Sequence, residues 1–162
     1  MITVSSNEAA NGLLSRIGNG DDKAAIATVT AIAQRYGFTS SEELRTLTGM
    51  ASGNAVENWT STRDCGSFLS QVYAGTLVSK NASERMMQLL LGQTRRTKIP
   101  AGVPFGVKVA NKTGELAAVQ NDVAIVFGTH PYVLAVMSND ISSAVAPSQI
   151  TELSRAVWDA AQ

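Results

Sequence analysis

One cysteine, one histidine and four prolines in 162 residues leave several chemistries without material. Cys65 has no second cysteine, so no internal disulfide can form. It falls in a helical pattern with Phe68, Leu69 and Val72 and is expected to be a small core residue. A thiol hydrolase would need an imidazole beside it. His130 lies far away in sequence, in the turn Gly128-Thr129-His130-Pro131. Zinc needs about four such ligands, so no metal site is expected, and no motif calls for a cofactor. Charge is also sparse. Charged residues make up 16% of the chain, and 13 basic residues balance 13 acidic ones. No broad field favours nucleic acid or an anionic membrane surface. No apolar run approaches the roughly 20 residues that span a bilayer. Met1-Ile2-Thr3-Val4-Ser5 is not a basic region followed by a long apolar stretch, so no signal peptide is read there. The chain is expected either to be cytoplasmic or to start partway along a longer one.

What is present is an ordinary globular mix, 44% apolar. The length suits one domain over 1–162, burying about 70% of the surface of its unfolded chain. Residues 1–100 read as helices. Asn7 is the expected N-cap of a first helix carrying Ala9, Ala10, Leu13, Leu14 and Ile17, stopped by Gly18. Asp21 or Asp22 caps a second, with Ala25, Ile26, Val29, Ile32 and Ala33 on one stripe, ended by Gly37. Ser40 to Leu44 suggests a short helical turn, and Thr48 to Asn58 a loop. Thr60 or Ser61 caps a helix running to Gly75, and Ser79 or Asn81 opens another running to Gly92. The basic run Arg95-Arg96-Thr97-Lys98 reads as a solvated connection.

Residues 101–162 read differently. Phe105 to Ala110, Val123 to Phe127 and Tyr132 to Met137 are short apolar runs with the character of strands covered on both faces. Their connections, Glu115 to Asp122 and Gly128 to Pro131, suit hairpins. A final helix starts at Pro147 or Ser148, with Ile150, Leu153, Val157 and Trp158 on one face. The expectation is an α+β fold: a helical region, a three-stranded antiparallel meander and a closing C-terminal helix. The strand Tyr132–Met137 would be an uncharged edge without the usual protection against further pairing.

Two motifs carry a family resemblance. Ser5-Ser6-Asn7, within Thr3-Val4-Ser5-Ser6-Asn7-Glu8-Ala9-Ala10-Asn11, resembles the Ser-Asp-Asn segment of class A β-lactamases and penicillin-binding D,D-peptidases. Lys112-Thr113-Gly114, followed by Glu115-Leu116 and Asn121-Asp122-Val123, resembles their Lys-Thr-Gly strand and the strand after it. Glu57-Asn58-Trp59-Thr60-Ser61, leading into Asp64, resembles the helix start after their Ω loop. The resemblance implies a serine hydrolase acting on β-lactams or peptidoglycan-type peptides. It implies that Lys112 and Thr113 bind the substrate carboxylate, with Gly114 beside them. The backbone N–H of Glu115 would be an oxyanion donor. Ser5 would relay a proton, and Asn7 would hold the substrate amide. Such proteins are usually exported.

The departures are as informative. Three residues before the five lysines stand Gly20, Leu77, Arg95, Phe105 and Val109, so the nucleophile motif Ser-x-x-Lys is absent. Ser6 replaces the aspartate of the second motif. Arg45 matches the Ω-loop arginine, but Leu47 stands where the deacylating glutamate would be, between Glu42-Glu43 and Glu57. The sequons at Asn58, Asn81 and Asn111 read as chance, because the resemblance is bacterial. Two readings follow. One is a truncated β-lactamase-like hydrolase, inactive alone. The other is a non-catalytic binding or assembly module that dimerises or exchanges strands through Tyr132–Met137.

Overall fold

The structure, a computed structural model, describes residues 1–47 and 57–162. Residues 48–56, most of the expected loop from Thr48 to Asn58, lie outside the described residues. The chain forms two compact units. Ser6–Asp64 with Met1 make the first; Ile2–Ser5 with Cys65–Gln162 make the second.

In the first unit, helix α1 spans Asn7–Ile17. Its cap is Ser6, not Asn7: the Ser6 hydroxyl accepts from the Ala9 N–H at 3.1 Å. The buried stripe is Ala10 and Leu14, while Leu13 and Ile17 of the expected face are exposed. Helix α2 spans Asp22–Arg35 and is capped by Asp21, whose Oδ1 takes the N–H groups of Lys23 and Ala24. The chain then turns at Gly37, where φ is +88°, a conformation open to glycine. The helical turn expected from Ser40 to Leu44 does not form. Glu42 instead exchanges backbone hydrogen bonds with Trp59, and Asn58 Oδ1 takes the N–H groups of Leu44 and Arg45. An extended partner and a side-chain acceptor satisfy this backbone, which a lone helical turn would leave unpaired.

Helix α3, Thr62–Ala74, begins at the end of the first unit and runs into the second. Ser61 caps it through the N–H of Asp64. Helix α4, Lys80–Leu91, is capped by Ser79. A 3₁₀ turn over Ile99–Gly102 leads to the strands β1, Lys108–Leu116, β2, Val119–Phe127, and β3, Tyr132–Val136. They pair antiparallel in the order β1-β2-β3, and α5, Ala146–Ala161, follows. The sequence therefore anticipated the α+β class, the meander and the closing helix.

β1 differs from expectation. It starts at Lys108, because Phe105 is fully exposed and Gly106 turns with φ +91°. It continues through Lys112-Thr113-Gly114 to Leu116, and only Ala117 and Ala118 form the turn. Thr113 pairs with Asp122 and Gly114 with Asn121. Side chains alternate across a strand, so Val109, Asn111 and Thr113 share a face with Val126, Ala124 and Asp122. Ile99 and Ile150 join Val109, Ala124 and Val126 in one core cluster. On α5, Ile150 and Ser154 are buried, whereas Leu153, expected on that face, is exposed.

Candidate functional site

The site grows from the second half of β1 and from residues 2–5, all within the second unit. Residues 2–5 are fixed by the chain just after α4. Gln93 Nε2 donates to the Ile2 carbonyl at 2.8 Å, and the Thr94 N–H donates to the Thr3 carbonyl at 2.9 Å. Ser5 follows with φ +55°, a left-handed conformation rare outside glycine and asparagine. Its hydroxyl accepts a 2.8 Å hydrogen bond from Lys112 Nζ. Two residues 107 positions apart are thus brought together. Lys112 Nζ also donates to the Thr113 carbonyl.

β1 is an edge strand, and its outer edge can be read from two side chains. Arg96 donates to the Val109 carbonyl at 3.0 Å, and Lys112 takes that of Thr113. In an antiparallel strand alternate residues turn both N–H and C=O to the same side. Residues 109, 111, 113 and 115 therefore present these groups away from β2, and the N–H of Glu115 opens on the free edge.

Charge is concentrated beside it. The Glu115 carboxylate bonds both Arg95 and Lys98, the latter at 3.1 Å. Burial raises the Glu115 pKa, but the bond from Lys98 and the charges of Lys98 and Arg95 outweigh it and hold the group below its ordinary value. Lys98 is only 1% exposed, so the solvated connection expected for Arg95–Lys98 fails at this residue. Its amine is satisfied by Glu115 and by the Asn121 carbonyl at 3.2 Å, the partners that a buried ammonium needs. Burial lowers the pKa of Lys112, and Arg95 and Lys98 lower it further against Glu115 and Asp122.

Behind the strand, Asp122 is fully buried. Its Oδ2 accepts from the Ile99 N–H at 2.9 Å and its Oδ1 from Asn111 Nδ2 at 3.1 Å. Burial pushes its pKa up to about 6, against the pull of those bonds and of Lys98. Among the described residues, Thr113 Oγ1 and Asn111 Oδ1 are buried without a partner. Nothing in the described residues clusters three His, Cys, Asp or Glu for a metal, and no described helix is long and apolar enough to cross a membrane.

The remaining candidates lie in the first unit. Asn7 is exposed at the first position of α1. Arg45 pairs with Glu57 at 2.6 Å, and the Leu47 N–H donates to Asn11 Oδ1. Sequence reasoning took Arg95 and Lys98 for a solvated connection and gave Asp122 no role of its own. An aspartate leading an apolar strand run was the available signal for Asp122.

The sequence profile of the beta-lactamase enzyme family matches residues 1–161. The chain belongs to that family. Its fold superposes on a β-lactamase from Sphaerobacter thermophilus with a TM-score of 0.88 at 24% identity, covering 99% of this chain and 60% of that one. It is similar to PBP-A, with a TM-score of 0.85 at 26% identity, covering 99% of this chain and 58% of that one. A β-lactamase from Desulfarculus baarsii gives a TM-score of 0.82 at 25% identity, covering 98% and 60%. No curated protein sequence matches. The chain spans about 60% of the length of these structures.

Proposed function

We propose that this β-lactamase-family chain carries the recognition edge of an acyl-transfer site for β-lactams or D-alanyl-D-alanine-type amides. Lys112 and Thr113 bind the substrate carboxylate, with Gly114 leaving room for close approach. The Glu115 N–H donates to the developing oxyanion. Ser5 passes a proton to the departing nitrogen. Asn7 is assigned to the substrate amide by resemblance alone. The observation that carries this reading is the Ser5–Lys112 hydrogen bond of 2.8 Å, which unites the two family motifs. A related structure, a PBP-A variant, is an acyl-enzyme complex with penicillin G. The unpartnered hydroxyl of Thr113 is consistent with a donor kept for a ligand.

No Ser-x-x-Lys occurs in the sequence, so the chain by itself is proposed not to open a β-lactam. Intact-mass measurement after incubation with penicillin G tests this. An unchanged mass is expected, and an adduct on any serine contradicts it.

One observation favours a second reading. β3 is an outer strand with five uncharged, half-buried residues, beside a cleft of about 240 Å³ lined by Tyr73, Ile125 and Val133 among others. A strand from a second copy could pair there. Sedimentation at rising concentration gives a dimer on that reading and a monomer on the first.

A further inference from the structure

The Ser5–Lys112 pair has the parts of a serine nucleophile with a lysine base. The hydroxyl and amine are 2.8 Å apart, within proton-transfer reach. Ser5 is held at φ +55° by a segment tied at Ile2 and Thr3, and such non-glycine strain clusters at functional sites. Lys112 is half-buried, and Arg95 and Lys98 disfavour its ammonium form while Glu115 and Asp122 favour it. The Glu115 N–H opens on the same strand edge. Lysine serves as the base for serine in unrelated hydrolases.

We propose that Ser5 is itself a nucleophile toward uncharged electrophiles with good anionic leaving groups, aryl esters and sulfonyl fluorides, with Lys112 as its base. Neutral Lys112 takes the hydroxyl proton as Ser5 Oγ attacks. With an aryl ester the new C–O bond forms, the aryl oxide leaves and acyl-Ser5 remains. With a sulfonyl fluoride the S–O bond forms, the S–F bond breaks and fluoride leaves. Lys112 ends protonated in both cases. An anionic β-lactam differs in two ways. Its carboxylate, seated on Lys112, stabilises the ammonium and removes the base. Its leaving nitrogen also needs a proton, and Ser5 cannot deliver one while acting as nucleophile.

The experiment uses the full chain and phenylmethylsulfonyl fluoride, read by intact mass and peptide mapping. One adduct on Ser5 is expected, absent in Ser5→Ala and retained in Ser6→Ala. Lys112→Arg keeps a cation and a donor at this position but no usable base. It is expected to slow labelling at least tenfold, whereas a merely structural lysine would let arginine preserve the rate. Labelling of the native chain is expected to rise with pH as Lys112 deprotonates. No adduct, an adduct elsewhere with Ser5 unmodified, or an undiminished rate in a folded Lys112→Arg chain overturns the proposal. Penicillin G is expected to protect Ser5. Labelling without protection leaves the nucleophile standing and counts against β-lactam recognition, so the two ideas fail separately.

Discussion

Asp122→Ala is expected to destabilise the 162-residue chain by about 3 kcal/mol, lowering its melting temperature by about 6–12 °C. The carboxylate is fully buried and accepts from the Ile99 N–H and from Asn111 Nδ2. Alanine leaves the Ile99 N–H buried and unpaired. One of the two N–H groups of Asn111 Nδ2 loses its acceptor, while the nitrogen keeps its 3.2 Å bond to the Arg95 carbonyl. An unpaired buried donor costs about 1–3 kcal/mol. It also removes a countercharge that Lys98 senses. Asp122→Asn keeps one acceptor and should cost less. The two variants also separate from the native chain in their pH dependence. The Asp122 pKa is about 6 in the fold, against roughly 3.9 when unfolded. The folded state thus binds more protons between these values. The resulting stabilisation is fully present below about pH 4 and is lost as pH rises through about 6. The shift corresponds to about 3 kcal/mol. Melting curves from pH 4 to 7 should show this component in the native chain and not in Asp122→Asn. An Asn variant with the native slope would assign the titration to another group.

Gly102→Ala is the second large effect, about 2–3 kcal/mol in thermal melts. Gly102 closes the 3₁₀ turn against α5. A Cβ there would stand 2.4 Å from the Thr151 carbonyl oxygen and 2.5 Å from Ser154 Cβ. Neither belongs to the far end of a flexible side chain, so α5 or the turn must move. Movement strains the bond from Ser154 Oγ to the Ile99 carbonyl, 2.9 Å, and that from Thr151 Oγ1 to the Lys98 carbonyl, 3.2 Å. Lys98 and Ile99 are the residues that hold Glu115 and Asp122, so a shifted turn reaches the site. Native-like stability in Gly102→Ala would mean that the close packing does not constrain this turn.

The starts of α2, α3 and α4 were legible because short side chains cap them locally: Asp21, Ser61 and Ser79, each among the candidates read from sequence, act within three residues. At α1 the expectation was one residue off: Asn7 was expected to cap it, and the structure places Ser6 there. The meander was legible from its apolar runs, but the far half of β1 was not. The apolar run ended at Ala110, only the resemblance placed Lys112-Thr113-Gly114 on a strand, and Glu115 read as connection, because the partners of these residues lie on β2, residues 2–5 and the segment after α4. Lys98 was misread for a related reason. A basic run looks solvated until Glu115 and the Asn121 carbonyl are placed beside one of its members. The motifs singled out Ser5 and Lys112 as candidates, while their 2.8 Å contact required the fold.

The most direct test of the recognition edge is a backbone-amide NMR titration of the intact chain with penicillin G. The amides of Ser5 and of Lys112 to Glu115 are expected to shift, saturate and return when the ligand is removed, with the protein mass unchanged. Unmoved resonances at these positions, or shifts confined to Tyr132–Val136, would contradict the proposed site.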